Sequence, residues 1–249
     1  LANISDILKQ LSTYRDTFGI ITQNDKDGGD SANRTGILYA LLGIIDAHND
    51  DQGRLILGGF RADLDKLTVS SGVFRRHPDT SKWYSFSGCF SRDQHAMLLL
   101  GAAALKDKRS LFNLTKRFFL RLGFHQNTYD TGPTSKRVMP DIMAPGELTT
   151  IIRGFRLYPL YPVLVVLDAV LCLDNYFRKG FLWGADSLIA VRLMYDLNNL
   201  PTPFTYVNRY LYRKSDYQAQ IARYYTNVNN NGIPPLGDLY IEVAKEVIK

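Results

Sequence analysis

Between Asn24 and Gly36 the chain holds three carboxylates, Asp25, Asp27 and Asp30, with Arg34 and three glycines. A loop of this composition can hold a cation, position a sugar or cap a helix, and each chemistry makes its own demand. A calcium loop of the EF-hand kind needs acids at alternate positions, then Gly, then a closing Glu. Asp25, Asp27 and Gly28 supply the middle of that pattern, but its ends fall on Gln23 and Arg34, both wrong for a hard cation. Asp25, Asp27 and Asp30 thus make a partial calcium candidate, and no metal or other cofactor is expected. A cap needs less. Asp30 or Ser31 at the helix start, with Arg34 reaching back to Asp30 across i,i+4, satisfies it. Asn33 and Thr35 are then surplus polar groups.

Three more acid-bearing segments have the look of helix starts. In Ser91-Arg92-Asp93-Gln94-His95, Ser91 and Gln94 have capping-box spacing, which leaves Arg92, Asp93 and His95 over. Asp141 and Glu147 flank a bend stiffened by Pro140 and Pro145, and Glu147 suits the first turn of a helix. Asp186-Ser187 opens the fourth. If the helices alternate in direction, some of these ends share one face. Carboxylates converging there can act as general acid and general base, as in glycoside hydrolysis, where the pair stands roughly 5 to 10 Å apart. Asp30, Asp93 and Asp141 are the acid/base candidates. Arg34, Arg92, Asn33 and Glu147 would hold a hydroxyl-rich or acidic ligand, and Trp83 offers an apolar face for a sugar ring.

The elements that must position these groups are helical. Apolar residues recur at helical spacing over 3–18 and 31–48, then again over 91–105 and 108–122. Further helices are expected over 147–154, 160–177, 186–198, 204–213, 216–227 and 236–248. Residues 49–53 read as a turn, 54–90 as an irregular, partly β excursion broken by Gly58-Gly59, Gly72, Pro78 and Gly88, and 124–146 as a long connection. The sum is roughly ten antiparallel helices joined by short turns. No fixed-period repeat marks a solenoid.

With 249 residues, 45% hydrophobic and 22% charged, the chain fits a single helical domain over 1–249 with a sizeable core. Its net charge of +6 is spread along the sequence, and no nucleic-acid motif accompanies it. The apolar run 157–173 contains Pro159, Pro162 and Asp168, which favours a buried core helix over a membrane span. The four histidines lack zinc spacing, and phosphate-loop, dinucleotide and serine-elbow signatures are absent. Cys89 and Cys172 are too few for a disulfide framework.

With its acid-bearing helix starts at 27–36, 91–94 and 141–147, the chain resembles the helical-hairpin (α/α) toroids of many glycoside hydrolases and polysaccharide lyases. The resemblance is architectural and rests on no motif of one family. It implies an incomplete toroid or helical array acting on, or binding, a polysaccharide or glycan. The alternative expectation is a non-enzymatic component of a larger assembly, such as a virus particle. The acidic helix starts would then be caps, and 54–90 and 124–146 would be contact arms for protein partners.

Overall fold

The computed structural model describes residues 4–22, 31–45, 50–79, 90, 92–120, 124–130, 136–142 and 147–160, with Val163 and Val166. These residues are mostly helical: α1 (Ile4–Leu11), α2 (Ser31–Ile45), α3 (Asp50–Leu67), α4 (Arg92–Ala104), α5 (Lys108–Leu120) and α6 (Glu147–Phe155). Two small antiparallel hairpins accompany them, β1 (Thr68–Ser70) with β2 (Val73–Phe74) and β3 (Phe124–Asp130) with β4 (Lys136–Ile142). The helices expected beyond residue 160 lie outside the described residues, apart from Val163 and Val166.

Helix α2 is buried on every face from Ser31 to Ala40, and α4 is buried from Gln94 to Ala102. A helix enclosed on all sides belongs in a core, and these two are side by side. Glycine makes the approach possible. A Cβ on Gly36 would collide with the backbone of Met97 and Leu98, and one on Gly101 would stand 3.1 Å from the Gly36 carbonyl oxygen. Seven residues on, Gly43 faces Ala104 and Leu105. Contacts that advance together along both chains mean that α2 and α4 run parallel.

The outer helices are amphipathic. On α3, Ile56, Phe60, Asp63, Leu64 and Leu67 turn inward while Leu55, Gly58, Arg61 and Asp65 face out. Phe60 packs edge-on against Tyr39 of α2 and also meets Gly101 of α4. Helix α5 returns along α4 after a tight turn. Lys106 adopts φ 55°, its N–H donates to the Ala103 carbonyl, and the Asp107 N–H donates to Ala102. That is a Schellman closure with lysine in the left-handed position, a conformation that costs about 1 kcal/mol without glycine.

Ion pairs tie the outer layer to the inner one. Arg15 forks onto Asp63 of α3 at 2.7 and 2.8 Å, and the Tyr39 hydroxyl donates to the same carboxylate at 3.0 Å. Burial, and then the Asp63 charge, push the Tyr39 phenol well above its ordinary pKa, so it stays protonated as a donor. Asp107 caps α5 by accepting from the Ser110 hydroxyl at 2.6 Å, and it receives Arg61 of α3 at 2.8 and 2.9 Å. Burial opposes ionisation of Asp107 most strongly, but the donors from Arg61 and Ser110 outweigh it and hold the carboxyl below its usual range. His77, fully buried, accepts the Asp79 N–H on Nδ1 and so donates from Nε2 to Asp16 at 2.6 Å.

Several expectations are corrected or narrowed. Residues 50–67 form a helix where a turn and an irregular excursion were expected. Ile56, Phe60, Leu64 and Leu67 keep helical spacing, and Gly59 sits inside the helix because the Tyr39 hydroxyl occupies the space a Cβ would take. The β content near 54–90 is confined, among the described residues, to β1 and β2. The long connection 124–146 contains the β3–β4 hairpin, registered from Phe124 opposite Ile142 to Asp130 opposite Lys136. The first helix ends at Leu11, shorter than expected, and gives way to a 3₁₀ turn over Ser12–Tyr14.

The close helix approach has a direct test in a pair of glycine substitutions. Gly36→Ala should destabilise the protein by at least about 2 kcal/mol in urea unfolding, because backbone atoms of α4 must move. Gly58→Ala, at an exposed helical site with nothing within 4 Å, should instead stabilise it by about 0.5–1 kcal/mol.

Candidate functional site

The parallel run of α2 and α4 places their N-termini at one end of the molecule. Helix α6 joins them. Its first residue, Glu147, meets His95 in the first turn of α4, and its Gly154 lies against Leu111 of α5, one turn nearer the α4–α5 corner than Leu114. So α6 runs antiparallel to α5 and in the same sense as α4. Each helix start carries roughly half a positive charge from its unpaired N–H groups. Three such starts make this end attractive to acceptor-rich or anionic groups.

The polar residues at these starts are inside. Ser31, Asn33, Arg34 and Thr35 on α2, Gln94 and His95 on α4, and Glu147 and Thr150 on α6 are all buried. The best-defined pair is His95 with Glu147. His95 Nε2 lies 2.8 Å from the Leu114 carbonyl, which only accepts, so this nitrogen carries a proton. Nδ1 lies 2.7 Å from Glu147 Oε1, and one proton is shared across that contact. The pair is an imidazolium with a carboxylate, or an imidazole with a carboxylic acid, and both fill every bond. Phe90 stands edge-on to the imidazole at 6.3 Å and closes one side. A carboxyl so held is fixed in rotamer and supplied with a proton partner, which general acid or base chemistry requires.

On α2, Gly36 and Gly43 face α4, and Asn33 and Ala40 extend that stripe at the three-four spacing of a helix seam. The matching stripe on α4 is Gln94, Met97, Gly101, Ala104. Asn33 and Gln94 therefore occupy the same level, one turn above the Gly36–Met97 contact. Arg34 is turned about 160° around α2 from Gly36, to the side away from α4.

The other candidates divide by where they fall. Asp93 and Arg92 belong to the first turn of α4, and Asp141 lies on β4 opposite His125. Asp30 directly precedes α2 in sequence and, with Trp83, Ser91, Asp186 and the partial calcium set Asp25, Asp27 and Asp30, lies outside the described residues. Among the described residues, no group of three or more His, Cys, Asp or Glu side chains is placed to hold a metal. Among them too, no helix is long and apolar enough to cross a membrane. A separate cavity of about 350 Å³ opens between α3 and α5, lined by Arg61, Asp65, Ser71, Arg109, Phe112 and Asn113 among others. Its lining reaches the α4–α5 corner at Arg109 and Ser110.

The role of His95 was not legible beforehand. It stood out only as a leftover polar residue, and its partner is 52 residues away. A single sequence carries no sign of that pairing.

Removing one member of a buried, hydrogen-bonded pair strands the other. Glu147→Ala should therefore destabilise the protein by about 3–5 kcal/mol in urea unfolding. Glu147→Gln should lose no more than about 1.5 kcal/mol, because its amide can donate to Nδ1 of a neutral His95. Wild-type stability in both variants would show that the pair contributes nothing. Comparison with known protein families, with characterised proteins and with solved structures finds no match to this chain.

Proposed function

We propose that this protein binds or processes a carbohydrate at the end where α2, α4 and α6 begin. The observation that carries the reading is the common direction of those helices, with buried polar side chains gathered at their first turns. Asp30, Asp93 and Asp141 are the acid/base candidates, since each lies in or just before an element that begins or ends near this region in sequence. Arg34, Arg92, Asn33, Glu147 and Trp83 are the ligand-holding candidates. A saccharide suits such a site chemically. Its hydroxyls donate to amide and carboxylate oxygens, and its oxygens accept from helix N–H groups.

The hairpins α2–α3 and α4–α5, with parallel buried inner helices and amphipathic outer ones, support an arc of an incomplete α/α toroid. In this proposal residues 161–249 continue the arc and complete about ten helices. Catalysis would require two of the three aspartates to stand about 5 to 10 Å apart across the cleft.

The second reading, a non-enzymatic component of a larger assembly such as a virus particle, draws on exposed apolar side chains. Leu55 on α3 and Phe112 on α5 are 63% and 61% exposed on the outer layer. Side chains of that kind suit contact with protein partners.

Glycan-array binding separates the two. The wild type should bind, and the Asp30→Asn, Asp93→Asn double variant should lose at least about tenfold in affinity while unfolding at the wild-type urea midpoint. Absence of binding by both proteins would reject the carbohydrate reading and favour assembly.

A further inference from the structure

Asn33 Oδ1 and Thr35 Oγ1, both buried at the start of α2, have no hydrogen-bond partner, and of the two the amide oxygen can only accept. Asn33 is 1% exposed, and its amide oxygen has no hydrogen-bond donor. A buried acceptor left unmade is disfavoured, and such groups persist in native proteins where a water, an ion or a ligand completes them. Its place in the fold narrows the choice. By helical spacing Asn33 continues the α2 stripe of Gly36 and Gly43 that meets α4, at the level of Gln94 and one residue short of that of His95, whose imidazole is fixed by Glu147. Gly36 and Gly101 bring the two helices close just below it.

We propose that Asn33 Oδ1 accepts a hydrogen bond from a hydroxyl of a bound saccharide, and so acts as a specificity residue of the site at the starts of α2 and α4. The inference rests on the carbohydrate reading given above and goes beyond it by naming the atom and the ligand group. An amide oxygen only accepts, so its partner must be a donor. A metal ion or an ammonium would enter against the positive ends of three helices. A neutral hydroxyl meets no such opposition, and the rest of an oxygen-rich sugar is favoured by the same field. The atoms that now cover Oδ1 must give way as the hydroxyl arrives, so binding is coupled to a local rearrangement around Asn33.

The test compares stability with affinity in the full chain. The probe is the oligosaccharide giving the strongest glycan-array signal with wild type, together with its monodeoxy analogues. Asn33→Ala removes an acceptor with no protein donor, so its urea midpoint should equal or exceed that of wild type. Its affinity for the probe should fall about tenfold. One monodeoxy analogue should lose the same factor with wild type and nothing further with Asn33→Ala. Asn33→Asp, which keeps an acceptor oxygen at the position, should retain binding. Equal affinity of Asn33→Ala and wild type would overturn the assignment and leave the carbohydrate reading standing. Loss of folding in Asn33→Ala would overturn it by showing that the amide serves the protein's own structure. A wild type that binds no glycan would reject the carbohydrate reading and this assignment with it.

Discussion

The approach of α2 to α4 through Gly36 and Gly101 is the contact on which the other arrangements depend. With a Cβ on Gly36 overlapping the backbone of α4, the two helices could not share a seam at this spacing. The seam fixes three things together. It encloses two helices along most of their length, it sets them parallel, and it leaves each needing an antiparallel neighbour on the outside. Helices α3 and α5 meet that need with amphipathic faces, and Phe60 touches both inner helices, joining Tyr39 to Gly101. Packing of this density leaves little room for added volume.

The polar chemistry follows from that geometry. Parallel inner helices put their positive ends together, and the side chains in those first turns are enclosed by neighbouring elements. Buried polar groups must then find partners, and the partners come from distant parts of the chain. Glu147 reaches His95, Asp63 gathers Arg15 and Tyr39, Asp107 receives Arg61, and Asp16 receives His77. The last three lock the layers and the N-terminal segment. The first lies at the shared helix starts, where a proton-sharing pair can influence a ligand.

Sequence periodicity revealed the helices where it was strong, as in α2, α4 and α5. It misplaced α3 because Gly58-Gly59 and the polar run Asn49 to Gly53 resemble turn chemistry. Tertiary contact decided otherwise: Gly59 makes space for the Tyr39 hydroxyl, and Ile56, Phe60, Leu64 and Leu67 supply a buried face. The β3–β4 hairpin was hidden by Pro133, Pro140 and Pro145, yet Pro140 pairs opposite Gln126 in a two-stranded ribbon, where a missing N–H is tolerated. The polar surplus at the start of α2 was visible as an excess of groups over what a cap needs. Its burial was not, because burial is a property of neighbours such as α4 that pack around it. Likewise Glu147 was legible as a first-turn acid but not as the partner of His95.

The central claim is that α2 and α4 begin at the same end, and cysteine cross-linking tests it most directly. In a chain carrying Cys89→Ser and Cys172→Ser, the pair Asn33→Cys and Gln94→Cys should oxidise readily to a disulfide, since bridged Cα atoms must lie within about 7 Å. The pair Asn33→Cys and Ala104→Cys should remain reduced under the same conditions. Cross-linking of 33 to 104 in preference to 94 would mean that the helices run antiparallel, and the shared site at their starts would not exist.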